Sequence, residues 1–332
     1  MTRNICISAG DGNTAFTIAE LILTDNNFKS KIDSLSVLSL DPDSAKAKEL
    51  QQMGAKIIPH HPGKQEELAQ IMQESSCDTV CVIPPAHAKK VAITTELITA
   101  TKKADIPNIL FISSVGADLA ERDKQPRLRE FIDLEILAMS AKGDGNTSTS
   151  HSPCVIRAGF YAENLLLYAP QAQQEGKLPI PIGTTHLFAP VALGDVAQLA
   201  AHVLTGQGPN GFDDRHRGQL MALTGPKLCT GDQIAEAASK TLGVEMKFED
   251  ISEEEAKKVL KAQSDSDPSE LEYLLEYYSL VREGKTNYIS TNAFVNVTGA
   301  HPQEPEDFFK AYAEEFRPKE DQGHASKKRR TG

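Results

Sequence analysis

The sequence predicts an α/β protein: a doubly wound parallel sheet followed by a small α-rich C-terminal lobe. Three observations carry this. Short continuous apolar runs alternate with amphipathic helical stretches through the first half of the chain, as parallel strands covered on both faces do. A glycine-rich turn sits between the first apolar run and the first helical stretch. Beyond Gly159 the alternation gives way to mostly helical patterns.

Residues 4–8 (NICIS) read as the first strand, and the helical stretch AFTIAELIL follows the turn. Between them lies Gly10-Asp11-Gly12-Asn13-Thr14-Ala15, the G-x-G-x-x-G/A spacing that marks a Rossmann-type dinucleotide loop. Gly10 is expected to take a positive φ in a tight turn. Gly12 lets a pyrophosphate approach the backbone, and Ala15 lets helix and strand pack closely. The helix N-terminus then points its open N–H groups and dipole at the phosphates. A plain βα turn is the competing reading of the string alone.

The remaining elements follow in order. Strands are predicted at 35–40, 55–58, 79–83, 109–112 and 154–156. Helices are predicted at 43–53, 64–72, 89–103 and 128–139. Right-handed crossovers place these helices on both faces of the sheet. Residues 141–152 are polar and rich in glycine and serine, and read as a mobile surface loop. Further on, a helix at 163–174, a proline-rich turn, a strand at 187–189 and a helix from Asp195 are expected. Helices at 228–242, 252–262 and 271–282 and a short strand at 245–250 complete the lobe. The resulting division is residues 1–158 for dinucleotide binding, 159–316 for the remaining sheet elements and substrate lobe, and 317–332 as a disordered basic tail.

Composition narrows the function. Of the 332 residues, 40% are hydrophobic and 24% charged, values of an ordinary globular protein. The net charge of −11 repels phosphate backbones, so no direct nucleic-acid partner is expected. No apolar stretch is long enough to span a bilayer, so no membrane partner is expected. Asp11 closely follows the first apolar run, which is unlike a signal peptide. The five cysteines, Cys6, Cys77, Cys81, Cys154 and Cys229, form an odd set that suits reduced thiols in the cytoplasm. The run Lys327-Lys328-Arg329-Arg330 reads either as a nuclear import cluster or as a solvated end.

Ligands of doubly wound sheets bind beyond the carboxyl ends of the strands, so the candidate residues lie there. Asp41, after the second strand, can accept hydrogen bonds from an adenosine ribose, and no arginine sits beside it to take a 2′-phosphate. This favours NAD over NADP, although Lys46 and Lys48 lie on the next helix. Asp41 reads equally well as a turn residue before Pro42. Pro84 and Pro85 fix the backbone after the fourth strand, and His87 reads as a cap for the following helix. Ser113 and Ser114 end the fifth strand, where a hydroxyl can bond a substrate carbonyl or satisfy the strand's own backbone. Tyr161, Ala162, Glu163 and Asn164 follow the sixth, where an aromatic side chain can wall a nicotinamide or fill the core. No ligand-spaced His, Cys or carboxylate cluster appears, so no metal is expected.

Together the GDGNTA loop, ILFISSVGAD, IRAGFYAENLL, FAPVALGDVAQLAAHVL and LTGPKLCTGDQIAEAASKTLG resemble the NmrA-like family of atypical short-chain dehydrogenases/reductases. The resemblance runs roughly from residue 4 to residue 316. It implies a Rossmann domain with a small lobe and NAD(P) in the cleft, held by Gly10 to Ala15. It places Tyr161, Ala162, Glu163 and Asn164 beside the nicotinamide and Ser113 and Ser114 near the substrate. It gives Asp195 a structural, capping role at the start of a helix. Short-chain dehydrogenases usually carry Tyr-x-x-x-Lys on the helix after the fifth strand. Here that helix reads PRLREFIDLEILAMS, with no tyrosine. The lysine kept by many relatives falls near Asp133, and Arg129 is a cation that cannot release a proton at neutral pH.

Two functions fit these residues. One is an NAD(P)(H)-dependent oxidoreductase passing a hydride to a small quinone, imine or carbonyl substrate, with Ser113, Ser114 and Tyr161 as catalytic candidates. The other is an NAD(P)-binding redox sensor or transcriptional co-regulator, which turns nothing over and answers to a regulatory protein partner. An open apolar pocket over Ser113 and Tyr161 would favour the first.

Overall fold

The computed structural model describes residues 2–140, 152–208, 211–263 and 267–318. The basic run at 327–330 and all of the 141–152 loop except Ser152 lie outside these residues.

The first half alternates as the apolar runs require. Its elements are β1 (Arg3–Ile7), α1 (Asn13–Thr24), α2 (Asn26–Lys29), β2 (Ile32–Ser39), α3 (Ala45–Met53), β3 (Lys56–Pro59), α4 (Gln65–Glu74), β4 (Thr79–Val82), α5 (Lys90–Lys103), β5 (Asn108–Ser114), α6 (Pro126–Met139) and β6 (Ser152–Ala158). All seven residues of β5 are buried, which explains its unbroken apolar run. On α1 the buried positions Ala15, Ile18, Ala19, Ile22 and Leu23 keep the helical spacing of a face packed on a sheet.

The second half adds α7 (Ala169–Glu175), β7 (Lys177–Ile180), α8 (Leu193–Leu204), β8 (Leu220–Leu223), α9 (Gly231–Leu242), β9 (Lys247–Asp250), α10 (Glu253–Gln263), α11 (Pro268–Arg282), α12 (Asn292–Thr298), α13 (Pro305–Ala311) and α14 (Ala313–Phe316). Seven strands form one sheet in the order β3-β2-β1-β4-β5-β6-β8, and every pairing is parallel. This is the doubly wound Rossmann arrangement, with its topological switch between β1 and β4. Ser8 ties the two strands there: its hydroxyl donates to Ile83 O at 3.1 Å and accepts from Ile83 N at 2.8 Å. One core cluster includes Ile18, Ile22, Val196 and Leu199, and a second includes Leu68, Ile93, Leu97 and Leu134. A third fills the α-rich part around Tyr168, Phe188, Leu274, Tyr278 and Phe309.

Three local expectations are corrected. Residues 187–189 form no strand; Phe188 makes a single bridge to Cys229. The strand forms instead inside the proline-rich stretch, where β7 pairs, among the described residues, with β9 alone. A two-stranded sheet leaves an edge on each strand, and there the missing N–H of Pro179 costs no ladder bond. The expected helix at 163–174 is split into a 3₁₀ segment (Ala162–Tyr168) and α7, with Pro170 at the second start, where its lost N–H has no partner to forfeit. The helix expected from residue 228 begins at Gly231, because Thr230 and Gln233 form a capping box.

Candidate active site

Above the switch point lies a cavity of about 510 Å³. Its walls come from the start of α1, the loop after β4, the ends of β5 and β6, and α11.

The glycine turn is built differently from its expected form. The positive φ falls on Ala9 (58°), and Gly10 is not among the positive-φ glycines. Gly10 is required for another reason. Its N–H donates to Leu38 O at 2.8 Å, and a Cβ there would lie 2.2 Å from Val37 Cγ1. The turn therefore lies against β2. A Cβ on Gly12 would meet only Ala9 O, at 3.2 Å, and Gly12, Asn13, Thr14 and Ala15 line the cavity. Gly12 is the N-cap of α1; no side chain caps the helix, and its first turn carries no acidic residue. Ser44, Thr230 and Asp267 cap α3, α9 and α11, whereas the N-cap residues of α4, α5, α6, α7, α8 and α12, like that of α1, make no side-chain cap. An uncapped N-terminus facing a cavity is the arrangement that receives a phosphate, so these residues fit a dinucleotide pyrophosphate.

Gly10, Asp11, Asp41 and Ala162 are not on the cavity wall. The Asp11 carboxylate instead accepts from Leu40 N and Ser39 Oγ, both at 3.2 Å, and clasps the turn to the end of β2. Asp41 is exposed and accepts from Asp43 N at 3.1 Å, closing a turn of the kind expected before Pro42. Lys48 is paired with Asp43 at 3.3 Å. Ala162 is buried in the third core cluster. His87 Nδ1 accepts from Lys89 N at 2.9 Å, just before α5.

Pro84, Pro85, Tyr161, Glu163 and Asn164 all border the cavity. Tyr161 Oη lies 3.5 Å from Thr14 Oγ1, and burial pushes its phenol up. Glu163 Oε2 accepts from Leu193 N at 2.9 Å, so its carboxylate satisfies the first N–H of α8. Burial raises its pKa, and that hydrogen bond partly opposes the rise. Asp195, expected to cap its own helix, caps another segment: its carboxylate accepts from Gln303 N at 2.8 Å.

The two serines at the end of β5 have separate fates. Ser113 Oγ donates to Glu135 Oε1 at 2.5 Å. Arg157 grips the same carboxylate through Nε at 2.8 Å and Nη2 at 2.7 Å. Ser114 Oγ lies 2.8 Å from Tyr273 Oη. Tyr273, on α11, borders the cavity and was not singled out in the sequence. It sits off the stripe of Leu271, Leu274, Leu275 and Tyr278 that predicts the buried face. Lys90 was also missed. It opens α5 yet is only 7% exposed. Its ammonium donates to Arg127 O at 2.7 Å, pairs with Glu130 at 3.1 Å and lies 4.3 Å from the centre of the Phe131 ring. Burial lowers its pKa, and Glu130 opposes this. A lysine at a helix N-terminus works against the dipole, and that is the sequence signal that marks it. Asp133 is paired with Arg122 at 2.6 Å, and Arg129 holds Asp118 O at 3.1 Å, so neither supplies the missing lysine's charge to the cavity.

Sheet order, glycine turn and cleft define a Rossmann-type protein with its cavity at the switch point. The chain belongs to the NmrA-like family, whose model matches residues 1–313. It is 24% identical over 276 residues to NAD(P)H azoreductase of Xenophilus azovorans, covering 82% of this chain and 88% of that protein. It is 26% identical over 201 residues to prestalk A differentiation protein A of Dictyostelium discoideum, covering 57% of this chain and 62% of that one. Its fold is similar to NADPH-dependent quinone oxidoreductase of Escherichia coli in complex with NADPH, with TM-score 0.74, 19% identity and coverage of 93% and 99%. It is also similar to Citrobacter triphenylmethane reductase in complex with NADP(H), with TM-score 0.72, 16% identity and the same coverage. Among the described residues no helix is long and apolar enough to cross a membrane, and no three His, Cys, Asp or Glu side chains are grouped to hold a metal ion.

Proposed function

We propose that this protein is an NAD(P)H-dependent reductase that passes a hydride to a small quinone, imine or carbonyl compound. The observation that carries the reading is the uncapped N-terminus of α1 opening onto a cavity that Ser114, Tyr161 and Tyr273 also line. The names of the azoreductase and quinone oxidoreductase relatives support the same class. The cavity over Ser113 and Tyr161 is open, which favours turnover over a sensor with a filled site.

Gly12 and the first N–H groups of α1 would hold the pyrophosphate, and Pro84, Pro85, Tyr161 and Asn164 would wall the nicotinamide. The bound cofactor supplies a hydride and takes up the two electrons again on re-reduction. The protein's part is to orient the acceptor and exclude water beside it. The carboxylate of Asp41 would favour NADH, but Asp41 is exposed, lies off the cavity wall and closes a turn. The similar solved structures contain NADPH or NADP(H), and both nucleotides belong in the test.

Excess protein is mixed with NADH or NADPH, and reduced-nicotinamide fluorescence is followed through one turnover with a panel of quinones, imines and carbonyls. The chain has no tryptophan, which keeps the signal clean. A fluorescence rise and an acceptor-dependent decay are expected. A rise without decay across the panel would favour the sensor, and no rise with either nucleotide would remove the cofactor assignment.

A further inference from the structure

We propose that Tyr273 is the proton donor to the reduced acceptor, held in place by Ser114, so that the C-terminal lobe supplies the acid that α6 lacks. The proposal rests on reading the cleft as a hydride-transfer site.

Four observations converge on this residue. Tyr273 from α11 and Ser114 from β5 both line the cavity, and their hydroxyls are 2.8 Å apart. Ser114 Oγ also donates to Val115 O at 3.2 Å. With its single proton so placed, Ser114 accepts from Tyr273, which leaves the phenol protonated and pointed at the end of β5. The buried Lys90 ammonium lies 5.9 Å from the centre of the Tyr273 ring, where a positive charge favours phenolate character. The other candidate, Tyr161, turns its hydroxyl toward Thr14 in the glycine turn. Burial pushes Tyr273 up to about 12, so the phenol carries its proton at neutral pH.

The step balances for a carbonyl or quinone. The hydride brings two electrons to the acceptor and a new bond to hydrogen forms. The acceptor's π electrons move to oxygen, which takes the proton as the Tyr273 O–H bond breaks. Ser114 turns its hydroxyl from Val115 O to the phenolate, and solvent entering the open cavity restores the proton. The acid thus comes from α11, with Ser114 of β5 bonded to it and Lys90 of α5 at its ring.

The assignment predicts a split between two kinds of acceptor. A quinone needs a proton as well as a hydride; a cationic triarylmethane dye becomes neutral on hydride uptake and needs none. In Tyr273→Phe the ratio of quinone to dye turnover should fall about 100-fold or more, the usual worth of a general acid. Ser114→Ala should lower the same ratio to a smaller extent, and Ser114→Thr should restore it. NADPH binding, read by fluorescence, and the thermal midpoint check that the cofactor site and fold persist. An unchanged ratio in Tyr273→Phe, with both turnovers equally reduced or neither reduced, overturns the assignment and leaves the reductase reading in place. A wild-type protein that binds NADPH and reduces neither acceptor overturns both.

Discussion

Ser113 and Glu135 are joined by a 2.5 Å hydrogen bond at the end of β5, and this bond takes the Ser113 proton away from the cavity. Arg157 completes the unit from β6 and also pairs with Asp118 at 3.0 Å. Ser113→Ala should therefore cost stability, about 1–2 kcal/mol for a buried acceptor left short of one donor. It should leave single-turnover rates within a few-fold of wild type, while Ser114→Ala slows quinone reduction. Glu135→Leu should be more damaging, about 2–3 kcal/mol, because Arg157 loses its buried partner and keeps only the exposed Asp118. Chemical denaturation and the fluorescence assay measure the two effects separately.

The glycine turn separates stability from binding. Gly10→Ala places a methyl group against Val37 and should lower stability by about 1–3 kcal/mol through overpacking. Gly12→Asp brings its Cβ only against Ala9 O, at 3.2 Å, and should lower the thermal midpoint less than Gly10→Ala while abolishing nucleotide binding, since a carboxylate then faces the pyrophosphate. Unchanged nucleotide affinity in Gly12→Asp would contradict the placement of the cofactor.

Asp195 is 3% exposed, and burial raises its carboxyl to about 6, with the Gln303 N–H opposing. A group whose folded-state pKa lies above its unfolded value stabilises the fold below the unfolded value, and that contribution is lost as pH rises through the folded one. Between about pH 4 and pH 6 the wild type should lose on the order of 2 kcal/mol relative to Asp195→Asn, in which the amide oxygen still accepts from Gln303. Parallel stability curves for the two proteins across that range would refute the linkage.

His60 acts with the opposite sign. It is 4% exposed, its Nε2 has no hydrogen-bond partner among the described residues, and burial lowers its pKa, with Glu96 and Asp11 opposing and His61 adding to the effect. The unfolded chain takes up a proton near pH 6.5 that the folded chain resists, so stability should fall as pH drops below about 6.5. His60→Phe should lessen that acid-side loss. His202 and His216 are lowered by burial in the same way, so the variant's curve should flatten only in part.

The five thiols differ in reach. Cys6, Cys81, Cys154 and Cys229 are buried, and Cys77 is half-buried. Burial pushes Cys154 up to about 12 and Cys229 up to about 11. A thiol reagent should modify Cys77 first, with the other four reacting at the rate of unfolding. Mass spectrometry of the partly labelled native protein identifies the site.

The sheet and the glycine turn that borders the cleft are legible in local sequence. Continuous apolar strands, amphipathic helices and the turn from Gly10 to Ala15 are local patterns, and a parallel sheet buried on both faces leaves few other ways to arrange them. Local order also set Pro84, Pro85, Tyr161 and Asn164 at strand ends, where this topology puts its ligand. Tertiary structure decided the rest. Ala9 carries the positive φ, and Gly10 is needed because β2 passes so close, a contact between segments about 28 residues apart. Ser113 and Ser114 are neighbours in a strand, so their side chains point to opposite faces. Only the fold shows that one meets Glu135 and the other Tyr273, which lies 159 residues away. Chemistry that depends on groups far apart in the chain leaves no spacing to read, because hydrogen bonds and desolvation act through distance in space, and packing alone sets that distance.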